Sequence, residues 1–131
     1  MIKILAALIV FLGFANAEIK TVDVTPDSVS QYPQIIDVRT PDEWRETGIV
    51  EGALTIDIVG NKQKFAQEVL SKIDPTKPVA LICRTGRRST YAANFLEEEL
   101  AKQGIKLEII NLNGGVVSLI KQGYHTVPYD K

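Results

Sequence analysis

Seven consecutive residues, Cys83-Arg84-Thr85-Gly86-Arg87-Arg88-Ser89, hold the only cysteine of the chain and three of its arginines. Their types and order point to sulfur or anion chemistry. The thiolate is the nucleophilic form of cysteine, and neighbouring arginines and helix N-termini favour it. An apolar run, VALI at 79–82, leads into the loop, and Tyr91, Phe95, Leu96 and Leu100 recur at helical spacing after it. The loop therefore reads as a tight turn between a buried strand and a helix starting near Arg88 or Ser89. Gly86 relaxes the backbone, so free NH groups can line a concave anion nest reinforced by the positive end of the helix dipole. A negatively charged sulfur on Cys83 suits that nest. Arg84, Arg87 and Arg88 would also attract an anionic co-substrate and orient its oxygens by charge-assisted hydrogen bonds. The competing reading is structural, since free cysteine is among the most buried residue types and packs as a small hydrophobe.

Four residues separate Cys83 from Arg88. Phosphatases with a cysteine nucleophile have one residue more, which makes a ring wide enough for a phosphate. The tighter ring here suits a single terminal sulfur better than a tetrahedral phosphoryl group. Arg84 and Arg87 flank the glycine at the mouth, where they contact substrate or remain solvated. Arg88 begins the helix and can turn back into the domain, with Asp37 as its expected ion-pair partner. Ser89 reads as a helix-start hydroxyl. Trp44 reads as core, and His125 sits in a polar tail with nothing beside it to make a base or a metal site. Glu43, Asp57 and the other acids show no pairing that would serve acid–base work.

The elements that must position this loop alternate between strand and helix. Strands are expected at 19–24, 34–38, 53–56, 79–83 and 107–112, short Val- and Ile-rich runs of the kind buried on both faces of a parallel sheet. Thr40-Pro41-Asp42-Glu43 combines an N-cap hydroxyl, a proline at the first helical position and an acid three residues on. Thr25-Pro26-Asp27 is a weaker copy and opens a short helix towards Tyr32. A further helix is expected over 62–73, and another from Arg88 to a stop at Gly104. A last short one follows Gly114-Gly115 and ends at Gly123. Strands alternating with helices imply right-handed crossovers and one α/β domain, its parallel sheet covered by helices on both faces. In such sheets ligands bind beyond the carboxyl ends of the strands, which is where the loop falls.

The first 17 residues carry Lys3, an apolar run from Ile4 to Phe14 and the small-residue ending Ala15-Asn16-Ala17. That is the pattern of a secretory signal peptide cleaved after Ala17. The apolar run is about half the roughly 20 residues that a spanning helix needs; a retained anchor is the alternative. The expected mature chain, 18–131, is one domain exported to the periplasm or beyond, with no stable membrane association. A lone cysteine leaves no disulfide within the chain. Removing Lys3 from the 15 basic residues leaves 14 against 16 acidic ones, with no charge block for a nucleic-acid or membrane surface.

Four segments taken in order, DVRTPDEW (37–44), GIVEGALTI (48–56), CRTGRRS (83–89) and NLNGGV (111–116), resemble the rhodanese-like family across essentially the whole of 18–131. The resemblance implies a rhodanese-like three-layer α/β fold, a five-stranded, mainly parallel sheet with helices on both faces. It implies transfer of a sulfane sulfur from a small anionic donor such as thiosulfate to cyanide or a thiol. By the same resemblance Cys83 carries the persulfide, while Arg84, Thr85, Gly86, Arg87 and Arg88 surround the substrate, with no metal or organic cofactor. The sequence departs from the family pattern at Ile49, where histidine is usual, and at Glu51, where proline is common. Val117, Ser118, Leu119 and Ile120 stand where the family often has a tryptophan. Three other functions remain in play at this level: a persulfide carrier serving one partner protein, phosphatase or arsenate-reducing chemistry, and an inactive binding fold.

Overall fold

The computed structural model describes residues 19–130; the leader expected at 1–17 lies outside them. Strands β1 (Ile19–Asp23), β2 (Ile35–Asp37), β3 (Leu54–Thr55), β4 (Val79–Ile82) and β5 (Ile109–Asn113) alternate with helices α1 (Pro26–Val29), α2 (Pro41–Thr47), α3 (Lys62–Lys72), α4 (Arg87–Lys102) and α5 (Gly115–Lys121). The sheet order is β1-β5-β4-β2-β3, and every strand pairing is parallel. All five strands lie where the apolar runs put them. β4 occupies the middle, and all four of its residues are buried, as a central strand covered on both faces requires.

Side chains alternate across a strand with a period of two, and that period decides where the cysteine points. Val79, Leu81 and Cys83 share one cluster with Phe65 and Val69 of α3 and Phe95 and Leu96 of α4. Ala80 and Ile82 join the opposite one, with Val116 and Leu119 of α5 and Val29 near α1's end. Cys83 thus continues the α3/α4 side of the sheet one residue past the strand, beneath the start of α4.

Local chemistry sets the helix ends. Thr25 and Thr40 both form reciprocal capping boxes, with Ser28 and Glu43. The first helix stops at Val29 instead of running towards Tyr32, because Tyr32 precedes Pro33 and that position disfavours helical backbone. Helix α4 begins at Arg87, a residue earlier than its apolar pattern indicates, since Gly86 at φ +117° turns the chain without a side-chain cap. It ends in a Schellman motif: the Gly104 NH donates to Ala101 O and the Ile105 NH to Leu100 O. Gly123 and Tyr124 end α5 in the same way on Ile120 O and Leu119 O. Among the described residues no helix is long and apolar enough to cross a membrane.

One polar cluster is fully enclosed. Asp37, at the end of β2, is 0 % exposed and Arg39 1 %. Arg39 Nη2 donates to Asp37 Oδ2 at 2.8 Å, its Nε reaches both carboxylate oxygens, and Trp44 Nε1 donates to Oδ1 at 3.0 Å. Arg39 Nη2 also donates to Gly48 O and Nη1 to Thr47 Oγ1. These bonds clamp both ends of α2 to the carboxyl edge of the sheet. Removing one partner leaves an uncompensated buried charge, which costs about 3–5 kcal/mol. Asp37→Ala is therefore expected to lower unfolding free energy by about that amount, measured by urea denaturation followed through Trp44 fluorescence.

Candidate active site

The loop joining β4 to α4 lies at the carboxyl edge of the sheet, and its backbone divides its polar groups between two tasks. The carbonyls face away to partners: Val116 NH donates to Cys83 O at 2.9 Å, Val117 NH to Arg84 O at 3.1 Å and Gly114 NH to Thr85 O at 3.2 Å. Gly86 O accepts from Thr90 NH and, at 2.7 Å, from Thr90 Oγ1. By contrast, the NH groups of Arg84, Thr85, Arg87 and Arg88 have no hydrogen-bond acceptor among the described residues. The Gly86 NH donates to Cys83 Sγ at 3.1 Å. Stitching to the N-terminus of α5 demands close approach. Gly115 sits at φ +63°, and a Cβ there would fall inside contact distance of the carbonyls of Cys83 and Arg84.

Cys83 itself is 1 % exposed, so the sulfur lies on the floor of the loop, under the N-terminus of a 16-residue helix. Ser89 Oγ stands 3.5 Å from Sγ. Expected as a helix-start hydroxyl, Ser89 is instead the third residue of α4 and fully buried. It donates to Asn111 Oδ1 at 2.6 Å. Asn111, 2 % exposed on β5, was not singled out from the sequence; its signal there is a lone amide inside the apolar stretch LEIINL.

Arg88 does turn back into the domain, but its partner differs from the one expected. It grips Glu43 with Nη1 and Nη2 at 2.6 and 2.7 Å, not Asp37. The reason is that Asp37 already accepts from Arg39 and Trp44. Glu43 also closes the α2 capping box through Thr40 NH and Oγ1. An acid at the third helical position lies at the carboxyl edge of β2, and β2 is the neighbour of β4. Sequence spacing does not give that adjacency. The Arg88 guanidinium, with Thr40, holds the Glu43 carboxyl down to about 2 against the opposing effect of burial. Asp57, on the β3–α3 connection, is pushed up chiefly by burial and forms no ion pair among the described residues.

Arg84 and Arg87 are exposed, and neither side chain makes a hydrogen bond or ion pair among the described residues. Arg84 borders a small cleft lined also by Glu43, Thr47, Val117 and the exposed Ile120. Ile49, in the position where histidine is usual, pairs its backbone with Val127 of the C-terminal tail at 2.9 and 2.8 Å. Thr126 Oγ1 donates to Thr47 O in the same strap, and the tail's Tyr129 ring packs 5.1 Å from Trp44. His125 is exposed on this tail.

Sheet order, buried central strand and a cysteine loop leading into a helix define a parallel three-layer α/β protein with its candidate site at the carboxyl edge. The family model for the rhodanese-like domain matches residues 21–122. The chain belongs to the rhodanese-like family, a sulfurtransferase-type family, as its four sequence motifs indicated. It is 32% identical over 83 residues to the rhodanese-like/PpiC domain-containing protein 12 of Arabidopsis thaliana, covering 63% of this chain and 25% of that protein. It is 33% identical over 87 residues to the tRNA uridine(34) hydroxylase of Pelagibacter ubique, covering 66% of this chain and 26% of that one. The chain thus spans about a quarter of the length of these relatives. The rhodanese-like domain of an Anabaena protein superposes with a TM-score of 0.62 at 15% identity, over 82% of this chain and 79% of that one. That likeness shows a shared fold.

The Glu43–Arg88 pair makes a pH-dependent contribution to stability with a definite sign. The folded carboxyl at about 2 lies below its ordinary 4.5, so the contribution is complete above 4.5 and is lost as pH falls from there towards 2. Subtracting the acid stability curve of Glu43→Gln from that of wild type should give a difference that shrinks over this interval; a flat difference would contradict the pairing.

Proposed function

We propose that the protein is a sulfurtransferase that carries a sulfane sulfur as a persulfide on Cys83. The observation that carries this reading is the 3.1 Å hydrogen bond from the Gly86 NH to Cys83 Sγ, in a loop where the NH groups of Arg84, Thr85, Arg87 and Arg88 have no acceptor among the described residues. A thiolate attacks the outer sulfur of thiosulfate, forming the new S–S bond as sulfite departs with the electron pair of the old one. A thiophilic acceptor, cyanide or a thiol, then attacks the outer persulfide sulfur and returns the electron pair to Cys83. The outer sulfur extends about 2 Å beyond Sγ, so in the second step the atom attacked is not the covered one. Arg84 and Arg87, with free guanidinium groups, are the candidate contacts for an anionic donor. Arg88 contributes its backbone NH and its field, because its side chain is held by Glu43. Thr85 and Gly86 contribute main-chain NH groups. The tighter loop disfavours phosphoryl transfer, and we place the mature protein outside the cytoplasm on the strength of its leader pattern.

A second reading has its own support. The relatives' names attach the family to longer proteins, one with a PpiC domain and one a tRNA hydroxylase. A carrier that passes its persulfide to one protein partner fits that habit, and the exposed Ile120 beside the cleft would suit a macromolecular acceptor. The two readings separate in one experiment. Thiosulfate treatment should add one sulfur atom to the intact mass, cyanide should remove it as thiocyanate, and Cys83→Ala should do neither. Sustained thiocyanate production identifies the enzyme, whereas stoichiometric uptake with negligible turnover identifies the carrier. No added sulfur at all overturns both. The same mass, measured on protein recovered from an exporting host, should begin at Glu18 if the leader is removed as expected.

A further inference from the structure

Four side chains of the site carry more information than the transfer steps use. Thr90 Oγ1 donates to Gly86 O at 2.7 Å, which commits its one proton. It must therefore accept in its 2.8 Å contact with Asn111 Nδ2. That fixes the amide, with Oδ1 towards Ser89 Oγ at 2.6 Å, where the serine must donate. Ser89 also lies 3.2 Å from Gly86 O, yet its proton cannot serve two acceptors, and the shorter bond takes it. Only acceptor capacity then remains on Ser89 Oγ towards Cys83 Sγ, 3.5 Å away. A protonated Cys83 completes the sequence by donating to Ser89. The Gly86 NH closes the circuit on the sulfur. Every donor in this ring points the same way round, an arrangement in which successive bonds polarise one another. Ser89, Asn111 and Cys83 are all at most 2 % exposed, so water does not replace these partners.

We propose that Asn111 is a positioning residue that holds the Ser89 hydroxyl in the orientation suited to the thiol, and that Ser89 is the group that reverses when the sulfur becomes an anion. On losing its proton to solvent the sulfur can no longer donate. The Ser89 hydroxyl rotates from Asn111 Oδ1 to Sγ and joins the Gly86 NH as a second donor to the negative charge. Asn111 thus opposes the nucleophilic state and Ser89 supports it. Arg88 of α4, held by Glu43 of α2, interacts with the sulfur; Asp37 of β2, held by Arg39, and Asp57 of the β3–α3 connection interact with Arg88, and Arg84 and Arg87 belong to the loop itself. Altering Ser89 or Asn111 leaves all of them in place. The assignment deepens, and rests on, the reading of Cys83 as the sulfur-carrying residue.

The lone cysteine makes the test direct, because ultraviolet absorbance of the thiolate, corrected with Cys83→Ser, reports one site. Ser89→Ala removes a donor to a charged atom, a bond worth more than the neutral one lost with it, and should move the pH profile upward by about one unit. Asn111→Leu releases the serine hydroxyl and should move it downward by about half a unit. Thr90→Val lies on the exposed side of α4 and keeps both buried residues, but frees the Asn111 amide to flip; it should also move the profile downward, and it decides the matter if Asn111→Leu does not fold. A structural disturbance alone gives no such opposition of sign. The proposal is overturned if Ser89→Ala leaves the profile unmoved or lowers it, or if Thr90→Val leaves it unmoved or raises it. The titration needs no sulfur donor. Wild-type protein that gains no sulfur from thiosulfate while these shifts occur would reject sulfur transfer and retain the hydroxyl assignment.

Discussion

The loop after β4 can present amides to a sulfur because its carbonyls are engaged elsewhere. A peptide turn has as many acceptors as donors, and in isolation the two would compete for the same space around Cys83. The NH groups of Gly114, which caps α5, and of Val116 and Val117 in its first turn remove that competition by taking the carbonyls of Thr85, Cys83 and Arg84. The arrangement joins two helix N-termini back to back: α4 offers unpaired NH groups and a positive dipole end beside the sulfur, while α5 uses its own to hold the loop. Gly115 is the hinge of this contact, since any side chain there would collide with the loop carbonyls. The paired glycines of NLNGGV and the single one of CRTGRRS are thus two halves of one device.

Two ion pairs frame the device and differ in kind. Asp37–Arg39 is sealed, with side-chain exposures of 0 % and 2 %, and has hydrogen bonds to most of its polar atoms. Its work is to fix α2 against the sheet edge. Glu43–Arg88, at 21 % and 30 %, is half open and ties the far side of the loop to the same helix. A sealed pair is rigid because breaking it strands a charge; an open one is cheaper to break and is governed by pH. The anchored helix therefore carries an adjustable clasp on the loop, and the cleft beside Arg84 lies between the two.

The fold was legible because its determinants are local. Thr40-Pro41-Asp42-Glu43 states a helix start through hydroxyl, ring and carboxylate, and Gly104 and Gly123 state helix ends through a backbone conformation few other residues adopt. VALI states a central strand by being apolar at every position. The loop was legible too, because cysteine, glycine and arginine are consecutive. What escaped was chemistry between residues far apart in the chain. Glu43 and Arg88 are 45 positions apart and Ser89 and Asn111 are 22, and only the order β5-β4-β2 brings each pair together. Asp37 was the natural guess for Arg88 from charge alone. It was excluded by hydrogen-bond capacity, a property of the folded neighbourhood that no spacing encodes.

A lone thiol is hazardous in an oxidising environment, and the burial of Cys83 bears on that hazard. The sulfur is covered, and while protonated it is held as a donor in a closed ring, so it meets a bulky disulfide poorly. On the proposed reading a small anionic donor would be favoured over a bulky one, because the loop amides and the Arg84 and Arg87 guanidinium groups attract its charge. Selectivity would then come from size and charge at the mouth more than from intrinsic reactivity of the sulfur. The apolar residues Val117 and Ile120, in the segment where the family often has a tryptophan, line the cleft beside that mouth. On either proposed reading, a buried sulfur beneath the loop amides would take its atom from a small donor, and the apolar wall of the cleft would meet the body of a larger thiol acceptor.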